Sequence, residues 1–262
     1  MPKNQEKLRE LELFNRTNVL NVKLKKEYLA ISYRFIRKDG HWYINATTGE
    51  AHPKVITSKE NGAFGVDLNA GFLVAGEVDR YGNPLREIKI PVMMHDRNSR
   101  QITAAIGDAV KQIVQLAKTK GKPIVVENLD FARKKQSLGE AGEKYARMLS
   151  GFTYAKFKQM ITSRCAREGV ELIQRNPFAT SLAGQFNFMA RYGLSSHGAT
   201  ACVIARRGLG FNLERVPKKD TVIKLPLLKR HKSRGSRWAA VSRKIKNSLP
   251  FDLRIALLSA DR

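Results

Sequence analysis

Cysteine is almost missing from this chain. Two occur in 262 residues, Cys165 and Cys202, and neither belongs to a CxxC pair. That excludes a disulfide framework and argues against a structural zinc ion, so no zinc is expected. Both lie in apolar helical patterns, the setting of a reduced core thiol in a cytosolic protein. Long hydrophobic runs are also missing: no segment approaches the roughly 18 apolar residues of a spanning helix. The start, Met1-Pro-Lys-Asn-Gln-Glu-Lys, lacks the apolar centre of a signal peptide. A cytoplasmic location without a membrane partner is therefore expected. Internal repeats are absent. Acid is the scarcest class relative to its counterpart, with 23 Asp and Glu against 48 Lys and Arg, a net charge of +25. Between Leu172 and Leu213 there is no Asp or Glu at all.

A hydrophobic content of 42% suffices for one good core and a small appendage. The charge speaks about partners rather than fold, and phosphate backbones are its natural counterpart. It is also uneven, since residues 169–262 carry eighteen Lys or Arg against five Asp or Glu.

Residues 1–26 read as a charged amphipathic segment. Tyr28 to Ile36 alternates partly, turns at Lys38-Asp-Gly40 and returns as Trp42 to Ala46, a hairpin pattern with Asp-Gly at the turn. Thr47 to Gly62 is polar and reads as a linker. Ala63 to Leu68, Phe72 to Val78 and Leu85 to Val92 follow as three strands, with Tyr81-Gly-Asn-Pro84 turning into the third. Ile102, Ile106, Val110, Ile113 and Ala117 recur at helical spacing, and Gly121 with Pro123 ends that helix. Pro123 to Glu127 is a fourth strand. Arg133 to Ser150 reads as a basic surface excursion. A second helix is marked by Tyr154, Phe157, Ile161 and Cys165, a strand by Val170 to Gln174, and a third helix by Ala199, Cys202 and Val203. Beyond Gly210 periodicity weakens. Three meandering strands, helix, strand, helix, strand, helix is the order of an α/β, RNase H-like (RuvC-type) mixed sheet with flanking helices. The expected division is an N-terminal hairpin segment at 1–62, the principal domain at 63–212 and a basic tail at 213–262.

Asp67 and Glu127 are each a lone acid at the end of a short apolar run, Gly65-Val-Asp-Leu-Asn69 and Ile124-Val-Val-Glu-Asn-Leu129. A carboxylate there costs free energy unless it is paired, hydrogen-bonded or bound to metal. Mg²⁺ takes hard oxygen ligands, usually one or two carboxylates plus substrate phosphate, and two such ions stabilise an in-line phosphodiester cleavage. On that reading Asp67 and Glu127 are metal ligands. The plainer reading makes Asp67 a turn-capping residue before Asn69 and Gly71, and Glu127 a strand-end acid reaching water. Taken together in this strand order and this basic chain, the two acids favour metal chemistry.

The third position of such a site falls at His197. As a catalytic residue it would serve as a metal-site imidazole, a proton donor to the leaving group, or a cation beside the transition state. Imidazole suits softer metals than Mg²⁺. The alternatives are a helix-capping His without a catalytic role, with Ser195 or Ser196 as cap, or a site that has lost cutting while keeping binding.

Lys229 to Lys246 holds eight basic residues and no acid. Lys229, Arg230, Lys232, Arg234, Arg237 and Trp238 there, with Arg133, Lys134, Lys135, Arg206 and Arg207, form the expected nucleic-acid surface. The alternative is a solvated charge run.

At these residues the chain resembles the TnpB/OrfB family of insertion-sequence-encoded RuvC-like nucleases, over roughly Gly65 to Phe211. The likeness rests on Gly65-Val-Asp-Leu-Asn69, Asp79-Arg-Tyr-Gly-Asn83, Val126-Glu-Asn-Leu-Asp130 and Asn176-Pro-Phe-Ala-Thr-Ser181, and on Tyr192 to Arg207. The last stretch looks most like the TnpB-related proteins of transposons. The resemblance implies an RNA-guided, Mg²⁺-dependent DNA endonuclease of a mobile element, with DNA and a guide RNA as partners and Asp67 and Glu127 in the first two catalytic positions. This chain departs from the family in three places. His197 stands where the family has its third Asp, the zinc-ribbon cysteines expected after Ser181 are absent, and the region before the principal domain is short.

Overall fold

In the computed structural model the described residues are 31–48, 53–94, 97–128, 151–211, 214–216 and 233–248. The chain divides after His52 into two units. In the first, Asp39 and Gly40 take positive φ of 51° and 77°. A two-residue turn with positive φ at both positions matches the twist of its flanking strands. It joins β1 (Ile31–Lys38) to β2 (His41–Thr48), paired antiparallel along their whole length.

The second unit is built on a five-stranded sheet. β3 (Ala63–Asn69), β4 (Phe72–Val78) and β5 (Pro84–Pro91) form an antiparallel meander, and β6 (Ile124–Glu127) and β7 (Leu172–Arg175) add in parallel on the other side of β3. The sheet order is β5-β4-β3-β6-β7, which with these connections is the RNase H-like arrangement. Parallel neighbours require crossovers, supplied by α1 (Ser99–Lys120) and α2 (Gly151–Glu168). α1 starts in a reciprocal capping box, Asn98 accepting from the amides of Arg100 and Gln101 while Gln101 accepts from that of Asn98. It ends at Gly121, left-handed at φ 62°.

Alternation along the strands separates two cores. Phe64, Val66, Leu73, Ile124 and Val126 face Ile106, Val110 and Ile113 of α1 and Phe157 and Ile161 of α2. Ala63, Val78, Val125 and Ile173 face the opposite side, against α4 (Ser196–Gly208) and α5 (Arg234–Ser248). Between β7 and α4 run α3 (Thr180–Gly184), a π turn (Gln185–Met189) and one closing turn at 190–192. The segment expected to be an aperiodic basic tail thus contains a 15-residue helix that contributes Trp238, Val241 and Ile245 to the second core. These sit at i, i+3 and i+7, one helical face hidden in the sequence by the charges around it.

Glycine lets α4 approach the sheet closely. A Cβ at Gly65 would stand 1.9 Å from the Ala201 carbonyl oxygen, and one at Gly76 would stand 2.6 Å from the Cys202 nitrogen. Backbone therefore meets backbone. The helix lies on β3 and β4 at small residues throughout, with Gly198, Ala199, Ala201, Cys202 and Ala205 all buried.

Candidate functional site

That close approach decides what reaches Asp67. Asp67 is two residues beyond Gly65 on the same face of β3, a rise of about 6.6 Å. His197 is four residues before Ala201 on α4, a rise of about 6 Å. With Ala201 seated on Gly65, the first turn of α4 arrives over Asp67. His197 Nδ1 lies 3.2 Å from Asp67 Oδ2. A carboxylate only accepts, so Nδ1 carries the proton in this bond and Nε2 is the ring's other functional nitrogen. Asn69 Nδ2 donates to the same Oδ2 at 3.0 Å. The ring packs edge-on against Phe72, with centroids 5.2 Å apart, and Lys89 Nζ lies 4.2 Å from the Phe72 centroid. The Asp67 side chain is 17% exposed and that of His197 42%, so the pair is open to solvent on the histidine side.

The helix is capped by Ser195, whose hydroxyl accepts from the Gly198 amide at 3.0 Å. Glu87 on β5 accepts from the Ser195 amide and hydroxyl at 3.0 and 2.9 Å. His197 thus has no capping role of its own: Ser195 and Glu87 occupy the start of the helix.

Glu127 is brought beside Asp67 by the parallel pairing. Val66 and Val126 are partners in the β3–β6 register, so Asp67 and Glu127 each follow the last paired residue on neighbouring strands. Thr180 Oγ donates to Glu127 Oε1 at 2.6 Å. Its single proton has a second acceptor, Pro177 O at 3.0 Å, but the carboxylate is nearer and the stronger acceptor. Thr180 is placed by the turn before α3, where Ala179 takes a left-handed φ of 56°, unusual for a residue with a Cβ. On the other side of Glu127 its register partner is Arg175 of β7. Arg175 Nε donates to Arg207 O at 2.9 Å, tying the end of β7 to the last turn of α4.

The donors suit a hard cation in kind, two carboxylates from adjacent strand ends with water and phosphate to complete the shell. Among the described residues, however, no three His, Cys, Asp or Glu side chains gather as a metal-binding group. His197 bonds to Asp67 through Nδ1.

The expected nucleic-acid residues fare differently from one another. Arg133, Lys134, Lys135, Lys229, Arg230 and Lys232 lie outside the described residues. Trp238 is 2% exposed and packs against Phe186 with centroids 6.3 Å apart, so its ring belongs to the core rather than to a stacking platform. Arg206 is also structural: it bonds to Gly82 O and lies over Phe188 and Phe211. Burial holds its guanidinium below the usual arginine range, against the opposing pull of Glu214. Arg207 bonds to Glu214 through Nε at 2.9 Å. Arg234 and Arg237 are half-buried on the first turn of α5. Asn69, Thr180 and Arg175 were not singled out by sequence reasoning. The one available signal was Asn176-Pro-Phe-Ala-Thr-Ser181, whose Thr180 touches Glu127.

No family model and no curated protein matches the chain. Two solved structures of Thermus thermophilus RuvC share 16% identity with it. One, in complex with a Holliday junction substrate, aligns over 57% of this chain and 96% of its own at a TM-score of 0.40. The other aligns over 55% and 90% at 0.39. A ROK hexokinase from Thermus thermophilus shares 17% identity over 47% of this chain and 37% of its own, at 0.30. The fold assignment rests on strand order and connections, not on these likenesses.

Proposed function

We propose that the chain hydrolyses phosphodiester bonds of nucleic acid with a divalent cation held by Asp67 and Glu127. The observation that carries this reading is their placement at register-adjacent ends of parallel strands in an RNase H-like sheet. Asp67 has Oδ2 committed to Asn69 and His197, so Oδ1 is the atom that would hold a cation. Thr180 fixes one oxygen of Glu127. Mg²⁺ is the cation such oxygens suit, and it supplies an activated water and charge neutralisation at the phosphate. His197, bonded to Asp67, orients that carboxylate and presents Nε2 for proton exchange with a leaving oxygen. The resemblance to TnpB/OrfB proteins extends the reading to an RNA-guided DNA endonuclease of a mobile element, with a guide RNA as partner.

A second reading, a nucleic-acid-binding protein of the same fold that no longer cuts, is favoured by one contact. An imidazole, not a third carboxylate, contacts Asp67, and imidazole suits softer metals than Mg²⁺. Mg²⁺-dependent cutting of single-stranded DNA separates the two. On the first reading the parent cuts, and Asp67→Asn, Glu127→Gln and His197→Ala each abolish it. Cutting gained only in His197→Asp marks a disabled nuclease, and no cutting by any of them supports the binding protein. Sequencing RNA that co-purifies with the chain tests the guide: a single discrete non-coding species is expected, and a random sample of cellular RNA would count against it.

A further inference from the structure

One strand away from Glu127 a cavity of about 270 Å³ opens between the end of β7, the end of α4 and the start of α5. Three arginines wall it, Arg175, Arg207 and Arg234, against one acid, Glu214. Phe178 lines it while 48% exposed, a large aromatic left in water. Two of the guanidinia are held in place before any ligand arrives. Arg207 donates through Nε to Glu214 and through Nη1 to Asn176 O and Phe178 O, at 2.9, 3.2 and 2.7 Å. Its Nη2 bonds to no other described residue. Arg175 has one short bond, Nε to Arg207 O at 2.9 Å, and two at 3.5 Å, to Gln174 O and Gly208 O.

The backbone is arranged to match. The Phe178 amide donates to Asn176 Oδ1 at 2.8 Å, fixing the turn that presents the ring. Across the cavity stands the first turn of α5, where a Cβ on Gly235 would lie 4.0 Å from Phe178 Cε1. A 15-residue helix directs the positive end of its dipole there. The volume falls just below the roughly 300 Å³ at which pockets for whole small molecules begin. It suits a phosphate and its sugar, with the base left outside on Phe178. Arg175 and Glu127 are register partners, and neighbouring strands stand about 4.8 Å apart. A strand with one phosphodiester at the acids would therefore have a neighbouring phosphate within reach of these arginines.

We propose that this cavity binds a nucleotide of a single-stranded nucleic acid flanking the reacting phosphodiester, its phosphate among Arg175, Arg207 and Arg234 and its base on Phe178. The flanking position rests on the nuclease reading above; the binding itself does not.

The test uses the full chain and a fluorescein-labelled single-stranded oligothymidylate, with anisotropy measured in EDTA so that nothing is cut. Phe178→Ala is expected to weaken binding about tenfold, and to make no difference with an abasic version of the oligonucleotide. Arg234→Gln is expected to lower the slope of log affinity against log salt by about 0.7, one phosphate contact on a single strand. Both substitutions are at solvent-accessible positions, and circular dichroism checks that each variant is folded. Phe178→Ala and Arg234→Gln binding with parental affinity and salt slope would overturn the proposal, as would thymidine monophosphate binding as tightly as the oligonucleotide, which marks a free-nucleotide site. Running the Mg²⁺ cleavage assay alongside keeps the two readings apart. Losses in binding without parental cutting sink the nuclease and leave the cavity standing; parental cutting with unchanged binding does the reverse.

Discussion

Thr180 holds Glu127 through one 2.6 Å bond from a hydroxyl that a left-handed turn at Ala179 places there. Groups that orient a metal-binding carboxylate commonly contribute about 10- to 100-fold to affinity or activity. Thr180→Val keeps the shape and removes the donor, so Mg²⁺-dependent cleavage should fall by about that factor, and Thr180→Ser should restore it. A valine variant as active as the parent, or a serine variant as impaired as valine, would show that the hydroxyl serves only the turn. The two thiols allow a second residue-level check. Burial pushes both Cys165 and Cys202 up to about 12, with Glu87 adding to the effect at Cys202. A thiol is reactive as its thiolate. Neither should react with a disulfide reagent in the folded protein at about pH 8, and both should react in denaturant, where a free thiol ionises near 8.5. Prompt labelling of the folded chain would contradict the packing of α2 and α4 described above.

At the scale of elements, everything about the site depends on how closely α4 lies on the sheet. Gly65 and Gly76 make that contact, and a methyl group at Gly65 has no room before the Ala201 carbonyl. Gly65→Ala should therefore destabilise the second unit by about 3 kcal/mol through overpacking, measured by urea denaturation. Any folded fraction should also lose the Asp67–His197 contact, because α4 carries His197 with it. Stability within about 0.5 kcal/mol of the parent, the range of an ordinary surface substitution, would mean that the helix is not fixed by this glycine.

Across the whole molecule, charge is managed in two ways. One is a cluster around the buried Glu77 near the end of β4. Glu77 receives Lys122 Nζ at 2.6 Å and Arg86 Nε at 2.7 Å, and Lys122 also donates to Val78 O. Burial pushes the Glu77 carboxyl up, but the bonds from Lys122 and Arg86 outweigh it and leave it below the usual range. A carboxyl lowered on folding adds stability above its unfolded pKa of about 4.3 and loses that contribution as pH falls through its folded value. Lys122→Met should cost about 3 kcal/mol near neutral pH by stranding a buried carboxylate. The deficit should narrow as acid neutralises Glu77. Urea titrations of parent and variant at about pH 7 and pH 3 test this, and a deficit that grows in acid would reverse the argument. The other is the chain's large excess of positive charge, for which nucleic acid is the natural counterpart. Affinity for unrelated single-stranded sequences should fall steeply and about equally as salt rises. Retention that is indifferent to salt would assign the charge to another purpose.

Strand order, the positions of the two acids and the helices α1, α2 and α4 were legible in the sequence because each rests on local pattern. The runs around Asp67 and Glu127 alternate or stay apolar over a strand length, α1 repeats at helical spacing between Asn98 and Gly121, and Asp39-Gly40 specifies its own turn. His197 was marked as a candidate by its place before the helix that follows β7, and it contacts Asp67. Three things were decided only by packing. The bond between His197 Nδ1 and Asp67 depends on glycines 65 and 76 admitting a helix to backbone contact, which no spacing in the sequence encodes. Trp238 and Arg206, which by composition belong to a nucleic-acid surface, are drawn into the interior because α5 and α4 bury the faces that carry them. Thr180 bonds to Glu127 from 53 residues away in sequence through a turn at Ala179, and Arg175, 48 residues away, is set beside it by the parallel register between β6 and β7. Local pattern fixes which elements form, since each is a property of a few neighbouring residues. Which side chains meet is a property of the sheet as a whole, where pairing register and helix approach bring distant positions to one edge.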